Sequence, residues 1–266
     1  MLVAAYEDNV FFLASALTFD ALVASLPFVL LTLGVLGYLV QGAHDPISSV
    51  HAIVDRFLPL PGGGRDPLAP AEHALVVATE SRRQLSVLGV PLFLWFSTRF
   101  FGAVRRGLHE VFDTDETRPW LMAKAVDLLL VLISLAVLVA NTVGGFVLGT
   151  AVWPQRLLRR TLSFLLGGVL FYAIYTMAPG RGVRRKTAVV AAAVAALAFE
   201  LARFLYGFYL ARFATMDRLF SNANVIGIAL LLVWMYYTAV VFLLGGEVAD
   251  TYDLMRRQRE QRAILT

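Results

Sequence analysis

Glu200 and Arg203 stand three residues apart inside residues 187–210, a run built almost wholly from alanine, valine, leucine and aromatic side chains. On a helix, positions i and i+3 share a face. Opposite charges on one face of an apolar helix long enough to cross a bilayer have a limited set of uses. Ionisable groups inside a membrane are costly, and they face a bundle interior or a watery cavity where they bind ions, substrates or one another. Asn141, in the run 125–152, is a further polar group at similar depth, and Asp20, in the apolar run 10–40, is expected nearer the centre. The expectation is a polar pocket of Asp20, Asn141, Glu200 and Arg203 that takes a charged headgroup or an ion. The competing expectation is a structural ion pair that locks helices together, with Arg203 snorkelling toward the interface.

Glu247 is a secondary candidate. With Asp250 it is expected to end the last apolar run, where a carboxylate opposes the helix dipole and so calls for a neighbouring donor. The remaining acid and histidine sets carry little chemistry. His44, Asp45, His51, Asp55 and His73 lack the compact spacing of a hydrolytic metal centre such as HExxH. Asp113, Asp115 and Glu116 read as a solvated patch beside Arg105 and Arg106 rather than a two-metal nuclease site. No catalytic residue, metal site or cofactor is expected, and an enzyme is disfavoured.

The elements that must position these groups follow from composition. The 266 residues are 59% hydrophobic and 16% charged, with a mean hydropathy of +0.71; soluble domains are nearer 45–50% apolar and 25% charged. About 20 apolar residues cross a 30 Å hydrocarbon core. Six runs meet that need, at about 10–40, 85–101, 125–152, 162–177, 187–210 and 224–248. The expected fold is an all-α polytopic integral membrane protein, one transmembrane domain over 1–266. Short amphipathic helices are expected in the first extracytoplasmic loop, from Ile47 to Phe57 and again from about Ala71. Glu7 and Asp8 precede the first run, which is too long for a signal-peptide core, so a retained span is expected.

Charge placement gives orientation. Lys and Arg are more numerous in the second and fourth loops and the tail than in the odd loops, which favours both termini in the cytoplasm. The chain has no cysteine, so disulfides and thiolate chemistry are excluded. Its formal charge of +4 is better explained by this loop bias than by nucleic acid. Arg256, Arg257, Arg259 and Arg262 form a juxtamembrane basic tail suited to anionic lipid headgroups. In the fifth run Ala188, Ala192 and Ala196 make a small-residue stripe, and Gly145 and Gly149 in the third would let another backbone approach.

Four stretches resemble the YihY/BrkB family, formerly labelled ribonuclease BN-like. They are Leu13 to Phe19 with Ser25-Leu26-Pro27; Arg118-Pro119; Leu170-Phe171-Tyr172 to Tyr175 with Pro179 and later Tyr209-Leu210; and Leu232 to Tyr236 leading to Leu243-Leu244-Gly245-Gly246-Glu247. Together they cover nearly the whole chain in order. The sequence departs from the family in carrying Asp20 where many members have an aromatic, and Ser221-Asn222-Ala223-Asn224 where a Tyr-Gly turn is usual. The resemblance implies a six-helix bacterial inner-membrane protein. The functional expectation is a transporter or lipid-handling protein with membrane lipids as partners; a membrane scaffold is the alternative.

Overall fold

The computed structural model describes residues 9–41, 69–113, 118–148, 153–179, 183–213 and 223–265. They form six helices: α1 (Val10–Gln41), α2 (Ala69–Val111), α3 (Trp120–Leu148), α4 (Trp153–Met177), α5 (Arg185–Phe213) and α6 (Ala223–Leu265). There are no strands among the described residues. All six helices are long and apolar enough to cross a membrane, and the all-α polytopic fold expected from composition is observed.

Local chemistry sets the helix ends. Asn9 takes a left-handed backbone (φ 51°), tolerable for asparagine, and its carbonyl accepts the amides of Phe12 and Leu13. Asp113 (φ 43°) closes α2 in the same conformation, as a residue just past a helix C-terminus commonly does. Pro119 and Pro154 sit at the starts of α3 and α4, where a missing amide costs nothing; the Pro119 carbonyl accepts the Ala123 amide.

The helices outrun the apolar runs. α2 runs past the expected end of the second span at 101 to carry Arg105 and Arg106, and its stretch from Ala69 is continuous with the span rather than a separate surface helix. Arg156, Arg159 and Arg160, which precede the fourth apolar run at 162, occupy the first two turns of α4. Lys124 lies within α3. α6 runs on to Leu265, so Glu247 and Asp250 lie well inside it and the dipole argument for Glu247 fails. Charged residues with long alkyl stems are compatible with helix and reach the interface from within it, so loss of hydropathy does not mark the helix end. Ile47 to Phe57, His44, Asp45, His51, Asp55, Asp115, Glu116 and Gly149 lie outside the described residues.

The chain packs as two units, 23–97 and the remainder, 1–22 with 98–266. In the first, the rings of Phe28 and Phe93 approach to 5.8 Å. Gly89 faces the Leu31 backbone so closely that a Cβ would lie 3.3 Å from its nitrogen. In the second, the core gathers at one end, where α1, α3 and α5 begin and α2, α4 and α6 end or run out. Val10, Ala14 and Leu17 of α1, Leu108 and Val111 of α2, Leu130 of α3, Tyr175 of α4 and Leu243 of α6 are all buried there. Ala188, Ala192 and Ala196 are buried too, so the alanine stripe does pack.

Glycines make that end tight. A Cβ on Gly245 would stand 2.7 Å from the Tyr175 hydroxyl and 2.8 Å from the Ala195 Cβ, and one on Gly246 2.9 Å from Val111 Cγ1. The Tyr175 hydroxyl donates to the Phe242 carbonyl. From there a chain of rings runs along α4, α5 and α6. Tyr175 and Phe171 both stack on Phe242, Phe171 meets Phe199, Phe199 meets Trp234 and Trp234 meets Tyr206.

Candidate functional site

The opposite half of this unit is built differently. No described side chain is buried in 132–148 of α3, 153–173 of α4, 197–209 of α5 or 229–239 of α6. Contacts there join α3 to α4, α4 to α5 through the rings of Phe171 and Phe199, and α5 to α6. Asn141 accepts a 2.6 Å hydrogen bond from the Ser163 hydroxyl, linking α3 to α4. A Cβ on Gly144 would lie 2.5 Å from Leu162 Cδ2, whereas one on Gly145 would meet only Arg159 Cδ at 4.0 Å. The Leu162 side chain of α4 therefore packs against Gly144, one residue before the Gly145 of the Gly-xxx-Gly spacing. The Tyr206 hydroxyl donates to the Leu230 carbonyl at 3.1 Å and links α5 to α6.

Glu200 and Arg203 lie in this open half. Arg203 Nη2 donates to Glu200 Oε1 at 2.7 Å, and the side chains are 40% and 45% exposed. Helical phase makes this exposure informative. Arg203 follows Ala192 by eleven residues and Ala196 by seven, three and two turns of helix, so it continues the arc that packs at the other end. It is open because the neighbouring helices no longer close over that arc. Leu197, Leu201 and Phe204 point outward and are exposed in the manner of lipid-facing residues.

The four residues expected to share a pocket take separate partners. Asp20 accepts a 3.1 Å hydrogen bond from Arg99 Nε of α2, Asn141 pairs with Ser163, and Glu200 pairs with Arg203 on its own helix. Glu247 is buried at the packed end.

A second polar group, at that packed end, escaped the sequence reading. Asp127 of α3 is fully buried. Its two oxygens accept from Arg105 Nε at 3.3 Å and Nη2 at 3.4 Å, and Lys124 Nζ lies 3.7 Å away. Gly102 lies beside the group: a Cβ there would be 3.5 Å from Asp127 Oδ2 and 3.7 Å from an Arg106 guanidinium nitrogen, ordinary contact distances. Asp127 sits where the third run begins, and it is flagged only by being a carboxylate one turn inside an apolar stretch. Nearby, Arg118 donates to the carbonyls of Met177 and Pro179 at 2.8 and 3.0 Å, strapping the start of α3 to the end of α4. Thr187 donates to Asp253 at 3.2 Å, joining α5 to α6. Among the described residues no group of three or more His, Asp or Glu side chains is placed to hold a metal ion.

Six membrane-length helices, a packed end held by buried ion pairs and an open half with intramembrane polar groups define a polytopic α-helical membrane protein. The profile of the Virulence factor BrkB family matches residues 1–264, and the chain belongs to that family. Among curated relatives, a UPF0761 membrane protein of Legionella pneumophila (strain Corby) is 23% identical over 97% of this chain and 62% of its own length. One of Tolumonas auensis is 24% identical over 97% of this chain and 85% of its own. The putative ribonuclease-like protein YfkH of Bacillus subtilis is 22% identical over 88% and 87%. This chain thus spans about three-fifths of the Legionella relative's length. No solved structure matches the chain.

Proposed function

We propose that the protein handles lipid in a bacterial plasma membrane, giving a polar headgroup a path among the helices of the open half while acyl chains stay in the bilayer. Both termini are then cytoplasmic, and the packed end faces the cytoplasm. The observation that carries this reading is Arg203. It stands on the inward arc of α5, paired with Glu200, and is nonetheless 45% exposed. A headgroup carries charges that such a pair can exchange for, whereas hydrocarbon offers nothing to an ion. The chain of rings from Tyr175 to Tyr206 gives the path an apolar wall, and Asn141 and Ser163 add hydrogen-bonding groups on α3 and α4.

The scaffold alternative has less support, because Glu200 and Arg203 pair within one helix and so fix no helix to another. The ribonuclease-like name belongs to the Bacillus relative, and nuclease chemistry forms no part of the proposal. The basic end of α6 is assigned to anionic headgroups; Arg256 is held there by Glu260 at 2.9 Å. The test is reconstitution into vesicles that carry a fluorescent phospholipid in both leaflets, followed by addition of an impermeant quencher. Vesicles containing the protein are expected to lose fluorescence beyond the outer-leaflet share. Loss equal to that of empty vesicles would contradict the reading.

A further inference from the structure

The cluster around Asp127 has more positive charge than its own structure uses. Arg105 and Lys124 both lie within ion-pair range of one buried carboxylate, and an Arg106 guanidinium nitrogen lies 3.7 Å from the Cβ position of Gly102 beside it. Two cations therefore pair with one anion and a third stands nearby. No carboxylate among the described residues is within ion-pair range of Arg106, which is exposed, and Lys124 is 40% exposed. Asp127 is best understood as the fixed centre of the group. Held at zero exposure, it engages two guanidinium nitrogens of Arg105.

Depth decides what these donors meet. The spans containing these residues are 26 residues each, about 39 Å at 1.5 Å per residue, so their ends stand beyond a 30 Å hydrocarbon core. Arg105 and Arg106 are within two turns of the end of α2, and Lys124 is one turn from the start of α3. Trp120, one turn before Lys124 on the same face, is largely exposed, as are Leu121 and Met122. An indole beside cations at a span end is how interfacial anchors are composed.

We propose that Arg105, Arg106 and Lys124, organised by Asp127, form a binding site for a phosphate-type anion, the phosphodiester of an anionic phospholipid. Trp120, Leu121 and Met122 lie alongside its glycerol and upper acyl chain. Basic pockets between helices at a membrane interface recognise lipid phosphates in this way. The site does not depend on lipid passage through the open half, and it would equally serve a protein that only resides among such lipids.

The test uses the purified full chain in phosphatidylcholine nanodiscs with and without phosphatidylglycerol, scoring lipid retained after detergent extraction by native mass spectrometry. The wild type is expected to retain phosphatidylglycerol in preference to phosphatidylcholine. Arg106→Gln removes an exposed charge and Lys124→Gln removes the longer, 3.7 Å contact to Asp127; both leave the Arg105–Asp127 pair in place, and each is expected to cut retention about fivefold at an unchanged thermal midpoint for Arg106→Gln. A matched control, Arg156→Gln on α4, is expected to leave it unchanged. Displacement by millimolar inorganic phosphate would support the anion site and identify a free phosphate as an occupant. Resistance to phosphate with loss in both variants would support the lipid as occupant. Equal retention by wild type and both variants, with no phosphate binding, would overturn the proposal.

Discussion

Arg203 reaches back one turn along α5 to hold Glu200 at 2.7 Å, whereas Arg105 reaches across from α2 to hold Asp127 on α3. One pair closes on its own helix in the open half. The other joins two helices in the packed end and is sealed from solvent on the carboxylate side. The difference separates a pair confined to one helix from a pair that ties two helices together.

Removing Arg105 is expected to be a folding defect. Arg105→Ala leaves the Asp127 carboxylate buried with Lys124 alone at 3.7 Å, and losing one partner of a buried pair costs about 3–5 kcal/mol. Asp127→Asn in the same background removes the buried charge and should recover part of that loss. Denaturant unfolding in detergent micelles checks both.

Gly245 and Gly167 should respond oppositely to the same change. Gly245→Ala places a methyl against Tyr175 and Ala195, an overpacking cost of about 1–3 kcal/mol. At Gly167 an added Cβ meets nothing within 4 Å, so Gly167→Ala should gain up to about 1 kcal/mol of helix propensity. Thermal midpoints of the two variants, measured in one detergent, should fall on opposite sides of the wild type.

Arg118 gives a third contrast. Its two terminal nitrogens serve two carbonyls at the end of α4, a forked geometry that lysine does not offer. Arg118→Lys should lose about 1.5–3 kcal/mol, the worth of a hydrogen bond from a charged donor. Protease sensitivity at the end of α4 is expected to rise with it. Unchanged cleavage would separate the strap from stability.

Glu247→Ala and Glu200→Ala should fail in different ways. Glu247 lies in the packed core of α6, so its loss is expected to lower membrane abundance. Glu200 is 40% exposed and, among the described residues, bonds to Arg203 on its own helix, so its loss should spare abundance and reduce lipid movement. Quantitative immunoblotting beside the reconstitution assay distinguishes them, and equal activity per molecule for Glu200→Ala and wild type would remove Glu200 from the path.

The fold was legible because a bilayer demands long apolar helices, and each of the six left a run in the sequence. Helix ends were less so, since Arg105, Arg106 and the arginines of α4 end hydropathy without ending hydrogen bonding. The alanine stripe of α5 and the charges at Glu200 and Arg203 could be read from spacing. Their partners could not: Asp20 meets Arg99 and Asn141 meets Ser163, pairings that depend on which helices adjoin and at what depth. Asp127 was missed because one carboxylate near a span end resembles an ordinary interfacial residue. Its significance comes from its burial and from Arg105, twenty-two positions earlier, which reaches it from α2.

The most direct measurement compares lipid movement in vesicles for wild type, Arg203→Gln and Leu201→Gln at matched protein content. Leu201 is exposed on the outward face of α5 and controls for a polar group placed in the span. If headgroups pass along the inward arc of α5, Arg203→Gln loses most of the protein-dependent rate and Leu201→Gln keeps it. Equal rates for all three, above those of empty vesicles, would contradict a path at Arg203.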